Sequence, residues 1–85
     1  MDSDPRRTDW RRAKRLLLVE EIRGDDRCHW LVLREPAFIQ AGERYRTEPS
    51  GLTIELGDGS RTTHEGIWET RFYRWTLNGD PEVGR

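Results

Sequence analysis

Positions 52 to 56 of the chain read Leu-Thr-Ile-Glu-Leu, and the next three residues are Gly57-Asp58-Gly59. Alternating apolar and polar side chains mark a strand with one buried and one wet face, because successive side chains of an extended chain point to opposite sides. An Asp-Gly pair readily adopts the positive φ that a tight hairpin demands. The threonine-rich run from Ser60 to Glu65 is therefore expected to return antiparallel beside it.

The same punctuation recurs along the chain. Leu16 to Arg23 could continue a helix or form a strand, but Gly24-Asp25-Asp26 and the β-formers Cys28 to Leu33 after it favour a hairpin of two strands. Pro36 is expected to end the second of them, since proline cannot donate to a ladder. Ala41-Gly42-Glu43 and Glu48-Pro49-Ser50-Gly51 are turn clusters with an extended Arg44 to Thr47 between them. Gly66 breaks the alternation and suggests a bulge. A last strand follows from about Trp68 to Leu77, with Tyr73, Trp75 and Leu77 on one face and Phe72, Arg74 and Thr76 on the other.

Five or six short antiparallel strands at intervals of roughly ten residues imply a mainly β chain. Closing a small barrel removes sheet edges, so the expected architecture is a partly open, SH3-like β-barrel. The start differs. Asp4-Pro5 has the form of a helix N-cap followed by proline at the first helical position, and Trp10, Ala13 and Leu17 follow at helical spacing. A short N-terminal helix over residues 5–15 is expected. The organisation is then a basic arm or helix at 1–15, a barrel at 16–78 and a loose tail at 79–85.

Eighty-five residues allow one domain with a thin core. Apolar residues make up 33% and charged residues 36%, a polar balance for a folded chain, so the tryptophans, tyrosines and phenylalanines are expected to supply the core as a few large rings. Cys28 is the only cysteine, which excludes an intrachain disulfide and points to a reducing compartment. It has no partner at zinc-ligand spacing, so neither metal nor cofactor is expected. The first residues lack the apolar stretch of a signal peptide, and Leu16 to Val19 is far too short to span a bilayer. The cytoplasm is the expected location, without membrane contact.

The net charge of −1 conceals a division: residues 1–15 carry +3 and the remainder −4. Arg6, Arg7, Trp10, Arg11 and Arg12 could grip phosphates and stack a base, giving a nucleic-acid-binding arm. Against that, the chain's pI of about 6.1 is far from the basic footprint of such proteins. Glu20, Glu21, Asp25 and Asp26 form an acidic cluster suited to a basic partner surface, or simply a solvated face. Arg71, Phe72 and Arg74 present the cation and ring chemistry of interface hot spots.

Catalysis has thin support. Cys28 among apolar neighbours reads as a small buried hydrophobe, although His64 could in principle activate it. Gly57-Asp58-Gly59 lacks the third glycine and following helix of a phosphate-binding loop. The residues thus point to a non-enzymatic protein-binding module, an adaptor or an inhibitor of a larger complex. A nucleic-acid-binding module is the alternative, an enzyme using Cys28 or His64 the last reading, and a homo-oligomer is compatible with each.

Overall fold

A computed structural model describes residues 4–72. Leu31, Leu33, Ala37 and Ile39 alternate along one strand, and all four are buried. That strand, β3 (His29–Ile39), follows β1 (Arg11–Arg12) and β2 (Leu17–Arg23) and precedes β4 (Arg44–Glu48), β5 (Gly51–Glu55) and β6 (Arg61–Thr70). The strand order is β1-β4-β5-β6-β3-β2, with every pairing antiparallel.

β6 joins two sheets. Its first half, Arg61 to Glu65, pairs with β5, and its second half, Gly66 to Thr70, pairs with β3. Gly66 stands at the changeover, where a Cβ would lie 2.5 Å from the Val32 carbonyl oxygen and 2.8 Å from Leu31 Cδ1. The glycine expected to make a bulge instead lets two backbones approach where the strand changes partner. Ser60–Glu65 and the residues after Gly66 therefore form one strand, and the part of the expected last strand beyond residue 72 lies outside the described residues, as does the 79–85 tail.

The register break falls in the β2–β3 hairpin. Val19 pairs with Ala37 and Glu21 with Val32, so Glu20 alone faces the four residues Leu33 to Pro36. Pro36, expected to end the strand, lies inside β3 in this interrupted stretch, where no ladder bond needs its missing N–H.

The glycine-containing turns fall between strands as expected. Leu56 N donates to Ser60 O at 2.7 Å across Gly57-Asp58-Gly59, and Gly59 has φ +90°. At Pro49-Ser50 a two-residue loop joins β4 to β5, whose ends pair as Glu48 and Gly51.

The N-terminal helix is not found. Asp4 does cap a turn, accepting from Arg6 N at 2.9 Å on Oδ1 and from Arg7 N at 2.9 Å on its carbonyl. The chain then extends along β4: Thr8 N donates to Thr47 O, Arg11 and Arg12 pair with Tyr45 and Arg44, and Ala13 N donates to Glu43 O. An isolated helix of this length is marginal in water, whereas the β4 edge offers backbone groups that need partners. No closed barrel is found among the described residues. β1 and β2 end the strand order and do not pair with each other among the described residues, leaving two sheets around an open seam.

Among the described residues the core is aliphatic rather than built of large rings, while Tyr73 and Trp75, expected inside, lie outside the described residues. Val19, Leu31, Leu33, Ile39, Leu52 and Ile54 fill it with Ala13 and Ala37, while Leu17, Ile22, Tyr45 and Trp68 pack around the margin. Each buried Leu or Ile contributes roughly 1.5–3 kcal/mol. Trp68 ties the sheets together at one end, its Cζ3 3.2 Å from where a Gly24 Cβ would stand and its Nε1 donating to Glu48 O at 3.2 Å. No helix among the described residues is long and apolar enough to cross a membrane.

Candidate functional site

The β2–β3 hairpin carries apolar side chains on its outward face. Leu17 and Val19 turn to the core, so Leu16 and Leu18 turn away from it, and Leu18 pairs directly with Phe38 of β3. Leu16, Leu18 and Phe38 are 57%, 56% and 60% exposed, beside the edge of β2 that pairs with no strand among the described residues. Beyond Val19 the register break and the charged Glu20, Glu21 and Arg23 interrupt that edge. Bulges and charges are the devices by which sheet edges resist pairing. The stretch Leu16 to Val19 has neither.

At the other end of the same face the expected binding residues bind one another. Arg71 donates through Nη1 and Nη2 to both oxygens of Glu21 at 2.9 Å, and its Nε donates to Glu69 Oε1 at 2.5 Å. Its guanidinium lies 4.8 Å from the centre of the Trp30 ring. These bonds hold the Glu21 carboxyl below its ordinary range. Arg71 and Glu21 thus seal the outer side of Trp30. Phe72 next to them is 83% exposed, and Arg74 lies outside the described residues.

The acidic cluster also divides. Asp26 caps the hairpin loop, its Oδ1 accepting from Cys28 N and His29 N at 2.9 Å each and its Oδ2 lying 2.8 Å from His29 Nδ1. The His29 N–H is the largest of the influences that lower its carboxyl. Glu20 and Asp25 remain exposed.

Cys28 sits in the loop before β3, half-buried, rather than buried within a strand. Its carbonyl accepts from Arg71 N at 2.7 Å, which places it at the far end of β6. His64 pairs with Leu52 nearer the start of that strand and borders an open groove of about 540 Å³ with Arg34, Glu35, Thr63 and Glu65. Seven residues of extended chain separate position 64 from 71, about 23 Å. The structure does not bring Cys28 and His64 together. Among the described residues no three His, Cys, Asp or Glu side chains gather where they could hold a metal ion.

The basic arm is dispersed by the same folding. Arg6 is held by Asp4 through Nε at 3.1 Å and Nη2 at 3.0 Å, and Arg12 Nη1 donates to Gly42 O at 2.7 Å. Trp10 lies over the outward face of the β4–β5–β6 sheet, with the guanidinium carbons of Arg44, Arg46 and Arg61 at 4.9, 4.9 and 5.0 Å from its ring centre. Arg44 bonds Glu55 Oε1 at 2.9 and 2.7 Å, and Arg61 reaches Glu55 Oε2 at 3.4 Å. Glu48 faces Arg7 and Arg46 at 3.5 Å each while accepting from Thr53 Oγ1 at 2.6 Å. Thr53 to Glu48 and Arg44 to Glu55 are the leading causes that depress these two carboxyls.

Leu16, Leu18 and Phe38 were missed as surface residues because an apolar run gives no face until its register is known. Arg44, Arg46 and Arg61 were missed because Trp10 meets them only across strands distant in sequence; alternation of Arg44 and Arg46 on one face of β4 was the available signal. No family model, no curated protein and no solved structure matches this chain.

Proposed function

We propose that the chain is a non-enzymatic protein-binding module, an adaptor or inhibitor that takes an extended segment of its partner along the open edge of β2. The observation that carries this reading is the cross-strand pair Leu18 and Phe38, exposed by more than half beside an edge left unpaired among the described residues. An added strand gains main-chain hydrogen bonds from the edge, and its apolar residues at alternate positions cover Leu16, Leu18 and Phe38. The bulge at Glu20 sets the limit of the docked segment. A stable interface removes about 800 Å² from each partner. The three side chains form the apolar centre of such a contact, and Glu20 and Arg23 belong to its polar rim.

Affinity purification of the tagged chain from its source cell tests this. One protein should be enriched by the parent chain and lost with either Leu18→Glu or Phe38→Glu, both of which keep the parent's far-UV circular dichroism. Equal recovery by parent and variants, or enrichment of nothing, contradicts the reading.

A further inference from the structure

The outward face of the β1–β4–β5–β6 sheet has a chemistry unrelated to the apolar edge. Arg7, Arg12, Arg44, Arg46 and Arg61 reach it, and two carboxylates, Glu48 and Glu55, serve four of those five guanidiniums. A guanidinium has five N–H donors. Among the described residues Arg44 makes two side-chain hydrogen bonds and Arg7 and Arg61 one each. Arg46 Nε is buried and, at 3.5 Å from Glu48 Oε2, makes no hydrogen bond. The guanidinium carbons of three of these groups lie about 5 Å from the centre of the Trp10 ring, a cation–π contact that consumes no N–H donor.

We propose that this face binds single-stranded nucleic acid, with Arg46, Arg61 and Arg7 on successive phosphates and Trp10 with its stacked guanidiniums as a platform for a base. Held guanidinium edges match phosphate oxygens, and planar cation and indole surfaces match base rings. An acidic peptide fits less well. Its carboxylates would find the same donors, but the side chains between the arginines are Thr53, Thr63 and Glu55, which offer an apolar anchor residue little to pack against. The acidic Glu20, Asp25 and Asp26 that lower the overall charge lie on β2 and in the β2–β3 loop, which belong to the other sheet.

Fluorescence anisotropy of the full chain with a labelled oligothymidylate of about twelve nucleotides tests this proposal. The strand should bind, and three engaged phosphates predict a roughly 20-fold loss of affinity between about 50 and 200 mM salt. Arg46→Ala and Arg61→Ala should each weaken binding and lower the slope against salt by about 0.7. Arg34→Ala, whose guanidinium pairs with Glu65 at 3.5 Å, should change nothing. Arg61 is exposed, so its variant remains informative if Arg46→Ala fails to fold. No binding at about 100 µM chain in low salt would reduce the cluster to a clamp on the N-terminal segment and overturn the proposal. So would an unchanged affinity of Arg61→Ala, or displacement of the strand by an equal concentration of oligoglutamate.

Discussion

Thr47 is fully buried, and its N–H is satisfied by Thr8 Oγ1 at 3.0 Å. The reciprocal bond, Thr8 N to Thr47 O at 3.1 Å, makes this pair the anchor of the N-terminal segment. Thr8→Val keeps the shape but strands a buried donor, which costs about 1–3 kcal/mol. Urea unfolding should show that loss, with Thr8→Ser close to the parent. Gly51 is a second point of control. Its φ is +147°, and a Cβ would fall 2.2 Å from the His64 carbonyl oxygen. Gly51→Ala should therefore lose at least about 2 kcal/mol, from strain and displaced β6 backbone together. The turn role of Gly51 was legible in Glu48-Pro49-Ser50-Gly51. Its contact with His64 was not, because it depends on β6 lying alongside.

At the level of elements, turn chemistry located the hairpins well, and alternation identified β5. Helical spacing misled at the N-terminus. In an extended segment three residues separate opposite faces, so Trp10 goes outward over the arginines while Ala13 goes into the core. Spacing alone could not distinguish these outcomes, since the deciding partner was the β4 edge. Pro36 and Gly66 were recognised as irregular positions, but their roles depend on which strands flank β3 and β6. Trp68 bridges the two sheets, so truncating it should be costly. Trp68→Ala is expected to lose about 3 kcal/mol, and Trp68→Phe about 1 kcal/mol for the Glu48 carbonyl bond. Leu18→Glu, on the exposed face of β2, should stay within about 0.5 kcal/mol of the parent. Chemical denaturation of the three variants checks the ordering.

For the whole molecule, charge is organised by pairing more than by segregation. The sequence divides into a basic start and an acidic remainder, yet the fold sets Arg7 against Glu48, Arg71 against Glu21, and Arg44 and Arg61 against Glu55. Asp4, Glu21, Asp26, Glu48, Glu55 and Asp58 all have carboxyls held below their ordinary range, chiefly by hydrogen bonds to the charged form. Lowered folded-state values mean that this stabilisation is complete above the ordinary carboxyl range and lost as the pH falls through it. The thermal midpoint should be level from about pH 5.5 to 8 and fall below about pH 4.5. A midpoint that holds level to about pH 3 would mean that these pairs contribute nothing.

Photo-crosslinking inside the source cell probes the docking edge most directly. A benzophenone amino acid in place of Phe38 should give one discrete adduct to another protein. Leu18→Glu should abolish it, and the same probe at Asp58, on the exposed β5–β6 loop, should not form it. An adduct pattern identical from positions 38 and 58, or no adduct from position 38, would contradict the claim that this face receives a protein partner.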